Sequence, residues 1–189
     1  MNPGRRMLLI LAALFAAPLA ISFAMYYGHS SLQPTRRVNH GDLLNPAIAL
    51  PAVSLPFAAA DVTRPDFLRH KWSLVFVGEG ACNERCRKAL YDTRQVRLAL
   101  DRDMVRVQRV FIASGTCCDL PFLQNEHPDL IVVRADGTAR PLLERLGGAA
   151  GRIYLVDPFS NLVMSYAPDA AAKGLLEDLK RLLTLSQIG

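Results

Sequence analysis

The sequence predicts an α/β domain with a central mixed β-sheet flanked by helices, preceded by a single N-terminal transmembrane helix. Three observations lead to this prediction. A buried strand, a helix and a second strand follow one another mid-chain, a hairpin and an amphipathic helix come last, and an uncharged apolar run lies near the beginning. With 189 residues, 51% of them hydrophobic, the chain is long enough for one packed domain and additional segments.

The charge distribution argues against nucleic acid as a partner. The formal net charge of +5 at pH 7 comes mostly from scattered arginines, and no basic cluster is interleaved with aromatic residues. This pattern indicates a solvated, mildly basic surface or a docking face for an acidic partner.

The N-terminal run indicates the compartment. Arg5 and Arg6 precede an uncharged segment over 7–27, which at about 1.5 Å per residue spans roughly 30 Å, the hydrocarbon core of a bilayer. We expect residues 1–6 in the cytoplasm, an uncleaved anchor over 7–27, and residues 28–189 in the periplasm of a bacterium, as in a single-pass inner-membrane protein. A cleaved signal peptide is the alternative, but the run is longer than a typical h-region and lacks a clean cleavage site. All four cysteines lie in the portion outside the cytoplasm, where disulfides can form.

Two segments separate the anchor from the predicted core. Residues 28–49 are polar and broken by prolines, which predicts a periplasmic stalk, and the domain is predicted over 50–189. Within the domain, residues 50–57 suit an edge strand, and residues 61–70 predict a turn followed by a short helical segment.

The centre of the prediction is the segment Trp72–Cys86. A near-continuous apolar strand over 72–77 runs into a glycine-rich turn over 78–81, which delivers Cys82 to the start of a helix, with Cys86 one turn further along. Residues four apart on a helix lie on one face, and the partial positive charge of a helix N-terminus favours thiolates. Such a pair can hold a soft metal or exchange with a disulfide. The alternative is two small, buried hydrophobic side chains.

The elements that follow complete a thioredoxin-like order of strands and helices. Strand, helix and strand at this spacing form a βαβ unit with parallel strands. The loop after the second strand contains Cys117 and Cys118. The predicted elements after the first core strand are a helix over 83–100, a strand over 105–113, a short helix ending near 126, a strand over 130–134, a helix over 141–146, a hairpin of 152–156 and 162–166, and a closing helix over 170–185.

This order, the anchor, the Cys-x₃-Cys after the first core strand and the late segment Tyr154–Pro158 resemble the Sco/SenC family over about residues 50–185. Members of that family are membrane-tethered thioredoxin-fold proteins implicated in assembling the copper centre of cytochrome c oxidase. The resemblance implies that Cys82 and Cys86 act as copper ligands, with Cu(I) favoured, as a redox dithiol, or as both in turn. It also implies that the partner is a cytochrome c oxidase subunit or its apo copper site.

The sequence departs from the family pattern at three positions. Asn83 stands where the family usually has a proline after the first cysteine. Gly148 stands where the family has its third copper ligand, a histidine. No proline directly precedes Arg152, where redox-active thioredoxins carry a cis-proline. The resemblance is therefore to a divergent member without the usual copper-ligand histidine.

Topology offers other candidates for the missing ligand. The two parallel strands of a right-handed βαβ unit end at the same rim, so we expect Cys117 and Cys118 near Cys82 and Cys86. They either replace the histidine as copper ligands or resolve a disulfide with the other pair; a structural disulfide or inert thiols are the alternatives. His127 is a further candidate metal ligand, with the end of a surface helix as the alternative.

The predicted function is assistance to cytochrome c oxidase copper-centre assembly, by copper delivery or by reduction of the target cysteines. A general periplasmic thiol–disulfide oxidoreductase and a non-catalytic anchored scaffold that binds an oxidase subunit are the alternatives. A peroxidase is disfavoured because no Pro-x₃-Thr motif precedes Cys82.

Overall fold

The computed structural model describes residues 2–27, 39–60, 62–148, 150–186 and 188. The chain divides into two compact units, one ending at Val38 and the other beginning at Asn39. Half of the predicted stalk, residues 28–38, lies outside the described residues.

The first unit contains helix α1, Pro3–Tyr27, which includes the predicted apolar helix over 7–27. Of the helices in the described part of the chain, only α1 is long and apolar enough to cross a membrane, with a mean hydropathy of 2.4 and no buried residues in its most apolar window. The helix begins before the apolar run because Arg5 and Arg6 are good helix formers. These properties fit a membrane anchor, and a signal sequence shares them.

The second unit is built on a six-stranded mixed sheet in the order β1-β8-β7-β4-β5-β6. Strands β4, β5 and β6 are parallel, and β7, β8 and β1 add antiparallel neighbours on the other side of β4. The elements are β1 Asp42–Ala49, β2 Leu55–Pro56, β3 Thr63–Arg64, β4 Trp72–Glu79, α2 Glu84–Leu98, β5 Val107–Ser114, α3 Leu120–Glu126, β6 Leu130–Arg134, α4 Arg140–Arg145, β7 Ile153–Val156, β8 Asn161–Tyr166 and α5 Ala172–Leu185. This confirms the predicted α/β class and the thioredoxin-like order.

Burial on both faces of β4 explains its continuous apolar sequence. Successive side chains of a strand point to opposite faces. Trp72 and Phe76 therefore lie in the core cluster that includes residues of α2 and α5. Val75 and Val77 lie in a second cluster, on the face covered by α4. β4 lies in the middle of the sheet, where both faces are covered.

The predicted stalk is wrong over residues 42–49, which form the edge strand β1 paired with β8. The prolines argued against a strand here, but an edge strand tolerates proline because one of its sides forms no ladder hydrogen bonds. Pro46 lies where the β1–β8 register is interrupted, between Leu43 and Ile48. The folded domain therefore begins near Asn39 rather than at residue 50.

Contacts with α5 hold the residues that lead into β1 in place. The backbone N–H groups of His40 and Gly41 both donate to the Asp178 carboxylate at 2.9 Å, and the Tyr166 hydroxyl donates to the same oxygen at 3.1 Å. The His40 ring lies 2.9 Å from Glu177. Burial and the nearby Asp178 carboxylate raise the pKa of Tyr166, so the phenol remains a donor. Residues 39–41 therefore belong to the folded domain.

The segment before β4 also differs from the prediction. The edge strand predicted over 50–57 shortens to β2, which pairs with β3 in a separate two-stranded sheet. The described part of 61–70 contains β3 and turns instead of the predicted short helix. Pro65 explains the difference, because the residue before a proline is disfavoured in helical conformation.

Candidate functional site

The first cysteine pair lies where β4 leads into α2. Asn83 is the N-cap of α2, and its side chain accepts a hydrogen bond from the Cys86 N–H at 3.1 Å. Cys82 precedes this cap in a left-handed backbone conformation, with φ of +45°. Cys82 is thus not part of the helix, and the prediction that helical spacing places it beside Cys86 is wrong. The turn itself brings the two Cα atoms to 5.0 Å, and their sulfurs form a disulfide.

The second pair lies on the loop after β5, at the same rim. β4 and β5 pair in parallel register up to Glu79 and Ser114, so the loops that follow them leave the sheet side by side. Cys117 and Cys118 form a disulfide with each other. Both are half-buried against the core cluster that contains Cys82 and Cys86. The rim placement expected from topology is found, while the chemical roles of these cysteines stay predictions.

Gly80 brings the two cysteine loops into backbone contact. Its N–H donates to the Ser114 carbonyl at 2.8 Å. A Cβ atom on Gly80 would lie 2.7 Å from the Cys117 Cα and closer still to the Thr116 carbonyl oxygen. Only glycine permits such an approach, because every other residue would push the loops apart.

Arg87 connects the same two loops through its side chain. Its Nε donates to the Cys82 carbonyl at 3.4 Å, and its guanidinium donates to Asp119 at 3.3 Å. The guanidinium carbon also lies 4.1 Å from the centre of the Phe122 ring. The sequence carries no signal for this contact, because Arg87 and Asp119 belong to separate segments that only the fold brings together.

The two sulfurs of the first pair differ in their surroundings. Cys82 is 1% exposed and Cys86 is 4% exposed. A surface cavity of about 190 Å³ is lined by Cys86 but not by Cys82. Its other lining residues are Phe76, Gly78, Glu79, Asn83, Arg85, Ala150 and Gly151. A molecule approaching from this side therefore meets Cys86.

His127 lies apart from the cysteines. It is the C-cap of α3, whereas Cys118 directly precedes the α3 N-cap, Asp119. His127 ends the surface helix α3, as predicted, but its side chain is buried, at 4% exposed. Its Nδ1 accepts a hydrogen bond from the buried Arg109 guanidinium at 3.4 Å. Burial and the Arg109 charge lower the pKa of His127, so the neutral ring is favoured.

The described residues contain no group of three or more His, Cys, Asp or Glu side chains arranged to hold a metal ion. Gly148, at the position of the family's histidine, lies in a turn with φ of +64° and offers no side-chain ligand. Glu79 lines the cavity beside Cys86, but a carboxylate is a hard ligand that suits Cu(I) poorly. When reduced, Cys82 and Cys86 supply two soft ligands, and the further ligand role predicted for Cys117 and Cys118 stays a prediction.

A family described as the transmembrane-like, thioredoxin-like, C-terminal domain matches residues 72–186, which is more than half of the chain. The chain belongs to this family. No curated relative matches it. The matched range contains both cysteine pairs and begins at the first residue of β4.

Solved structures share the fold of this transmembrane-like, thioredoxin-like protein. Apo Sco1 from Thermus thermophilus is 18% identical, covers 79% of this chain and 99% of its own, and has a TM-score of 0.64. Copper-bound ScoI from Bradyrhizobium japonicum is 21% identical, covers 71% and 99%, and has a TM-score of 0.58. A thiol:disulfide interchange protein from Bacteroides sp. is 15% identical, covers 73% and 90%, and has a TM-score of 0.56. The resemblance to Sco/SenC proteins is therefore confirmed, at the level of the fold.

Proposed function

We propose that this protein is a membrane-anchored thiol–disulfide reductant that acts on the cysteines of a copper-site protein outside the cytoplasm. The observation that carries the proposal is the bonded Cys82–Cys86 pair beside a surface cavity. A pair that forms and breaks one disulfide at a helix N-terminus can exchange two electrons with a partner dithiol.

The environment of the pair favours a reactive thiolate. Cys86 lies in the first turn of α2, where the partial positive charge of the helix stabilises a negatively charged thiolate in the reduced protein. Arg85 lines the same cavity, and its positive charge acts in the same direction. Neighbouring Glu79 and Glu84 oppose this effect only partly, because Glu79 and Glu84 are exposed to solvent.

Cys86 is the attacking residue in this proposal, because it lines the cavity. In the reduced protein its thiolate attacks one sulfur of the target disulfide, forming a mixed disulfide and releasing the other target sulfur as a thiolate. Cys82 then attacks the Cys86 sulfur, which restores the Cys82–Cys86 disulfide and releases the second target thiolate. The target gains two electrons, the protein loses two, and solvent supplies the protons for the target thiols.

The partner follows from location and from the resemblance. Helix α1 is long and apolar enough to hold the domain at a membrane. We infer that the domain faces the periplasm of a bacterium and that its target is the apo copper site of a cytochrome c oxidase subunit. Copper centres with thiolate ligands accept metal only when their cysteines are reduced.

Copper carriage is a second candidate function. It is favoured by the adjacency of the two sulfurs and by the copper bound to the structurally similar Bradyrhizobium japonicum ScoI. Anaerobic Cu(I) titration of the reduced full chain against a competing chelator separates the two. One tight equivalent, lost in Cys82→Ser and in the Cys117→Ser/Cys118→Ser double variant, would support copper carriage. No tight binding would support the reductant.

The reductant is tested with the reduced full chain in detergent and a peptide that carries the oxidised dithiol of an oxidase copper site. We expect one peptide disulfide to be reduced for each Cys82–Cys86 pair. Cys86→Ser and Cys82→Ser should lose this turnover while keeping the far-ultraviolet circular dichroism of the wild type. Lys180→Gln, on the exposed face of α5, is the matched control. Turnover that persists in both cysteine variants would show that Cys82 and Cys86 are not the reducing pair. No turnover in the folded wild type would leave the non-catalytic scaffold.

A further inference from the structure

We propose that the Cys117–Cys118 disulfide is a second redox centre, which receives electrons from an external dithiol and passes them to Cys82–Cys86. The inference rests on the proposed reductant function and adds the route by which the spent pair is reduced again. All four cysteines are bonded within these two pairs, and none of the described cysteines is free. Two disulfides at one sheet rim are more than a single exchange reaction needs.

The two loops that carry the cysteine pairs are held in backbone contact. Gly80, two residues before Cys82, packs against the backbone of Thr116 and Cys117 so closely that no Cβ fits between them. The hydrogen bond from the Gly80 N–H to the Ser114 carbonyl holds the two loops side by side. Cys117 and Cys118 pack against the same buried cluster as Cys82 and Cys86. Transfer between the pairs therefore needs no large movement of the domain.

The two pairs differ in access, which gives the route a direction. Cys82 and Cys86 are both buried, and Cys86 lines the cavity, which neither Cys117 nor Cys118 lines. Cys117 and Cys118 are half-buried and so more accessible than the first pair. A protein dithiol can therefore reach Cys117–Cys118 without entering the cavity that Cys86 lines. A single buried pair could not serve two partners at once.

Arg87 holds the Cys82 loop against the Cys117–Cys118 loop. Its guanidinium is held by Asp119, next to Cys118, and its Nε holds the carbonyl of Cys82. The Phe122 ring beneath the guanidinium restricts the position of the side chain. Arg87 is thus a positioning residue that keeps the backbone of Cys82 against the Cys117–Cys118 loop.

The transfer balances as two successive thiol–disulfide exchanges. An external protein dithiol first reduces Cys117–Cys118 and is itself oxidised to a disulfide. The Cys117 thiolate, whose Cα lies against Gly80, attacks the Cys82 sulfur, which breaks the Cys82–Cys86 bond and releases Cys86 as a thiolate. Cys118 then attacks the Cys117 sulfur, which re-forms Cys117–Cys118 and releases Cys82. Two electrons move inward, and each thiolate takes its proton from solvent.

The route is tested kinetically with the oxidised full chain in detergent. Dithiothreitol serves as the external dithiol, samples are quenched by alkylation, and the state of each disulfide is read by mass spectrometry of proteolytic fragments. We expect Cys82–Cys86 to become reduced while Cys117–Cys118 is re-formed by each transfer. In the Cys117→Ser/Cys118→Ser variant, reduction of Cys82–Cys86 should slow by at least about tenfold. Equal rates for Cys82–Cys86 in wild type and variant would overturn the proposal.

A single-turnover assay separates this proposal from the proposed function. When the Cys117→Ser/Cys118→Ser variant is fully reduced beforehand, it should still reduce the oxidised peptide, because that step uses only Cys82 and Cys86. Loss of this step in a folded variant would count against the relay, since the second pair would then act in target reduction itself. Failure of the wild type in the same assay would instead remove the reductant function.

Trapping tests the proposed contact without relying on the double variant. Cys86→Ser/Cys118→Ser leaves Cys82 and Cys117 as the remaining cysteines, and mild oxidation should join them within one chain. Cys82→Ser/Cys118→Ser leaves Cys86 and Cys117 and should form the bond more slowly, because Cys86 faces the cavity. If Cys82 fails to bond to Cys117 in a variant with wild-type circular dichroism, the relay is wrong.

Discussion

The two ends of strand β5 are built in opposite ways. At its C-terminal end, the cysteine rim is held by close backbone packing and one arginine, with few hydrogen bonds to the sulfur-bearing residues. Near its beginning, Arg109 is fully buried in a network that satisfies most of its donors. The network partners of Arg109 are the Leu90 carbonyl at 2.6 Å, Asp129 at 3.0 Å, the Thr93 hydroxyl at 3.3 Å and His127 at 3.4 Å.

The Arg109 network stabilises the fold, whereas the cysteine rim leaves its sulfurs able to react. Arg109 joins α2, through Leu90 and Thr93, to the segment after α3, through His127 and Asp129. Burial lowers the pKa of Arg109 to about 10, which still leaves it charged at neutral pH. With α2 and α3 fixed at one end of β5, the loops at the other end can lie in contact without a polar network of their own. The sulfurs there remain free to change partners.

The largest expected effect comes from removing the centre of the network. Arg109→Leu would leave the Leu90 carbonyl and the Asp129 carboxylate without their buried partner. We expect a loss of about 3 kcal/mol in the free energy of unfolding, because the four hydrogen bonds of the Arg109 guanidinium are lost, although Asp129 keeps its pair with Arg97. Urea denaturation followed by circular dichroism measures it. Arg140→Leu, which removes an exposed pair with Glu144, is the control and should change stability by less than about 0.5 kcal/mol. Equal losses would show that the Arg109 network adds no more to stability than an exposed ion pair does.

A smaller effect is expected at the rim. In Gly80→Ala the new Cβ would meet the backbone of Thr116 and Cys117, which cannot rotate away as a flexible side chain could. We expect a loss of about 1–3 kcal/mol in stability and slower electron transfer between the two cysteine pairs. Gly137→Ala is the matched control, because a Cβ there meets nothing within 4 Å. If Gly80→Ala moved the loops apart without slowing the reduction of Cys82–Cys86, contact between the pairs would not govern the transfer.

The same contrast explains what could be predicted from sequence. The Trp72–Val77 strand and the helix after Cys86 follow from local apolar patterns, and the shared rim follows from the handedness of a βαβ unit. Strand β1 was missed because an edge strand with Pro46 carries almost no alternating pattern, and its pairing with β8 depends on a segment far along the chain. The burial of His127 was missed because its partner Arg109 lies on another element, and an arginine inside a strand gives no sign of a buried network. Arg87 was overlooked for the same reason.

The smallest expected effect is a pH dependence centred on His127. Its pKa is lowered in the folded protein by burial and by Arg109, whereas in the unfolded chain it titrates near its ordinary value of 6.5. Above that value both states hold a neutral ring, so the stability from this site is complete. As the pH falls below about 6.5, the unfolded chain takes up a proton that the folded state does not bind, and stability declines by at most about 1.4 kcal/mol per pH unit.

Urea denaturation at pH 7.5, 6.5 and 5.5 (roughly one-unit steps around the ordinary value) should show this decline in the wild type. His127→Gln, whose amide can still accept from Arg109 but does not titrate, should show a shallower one. Parallel pH profiles for the two proteins would mean that other groups cause the acid-side loss and that the ring is not held neutral by the Arg109 network.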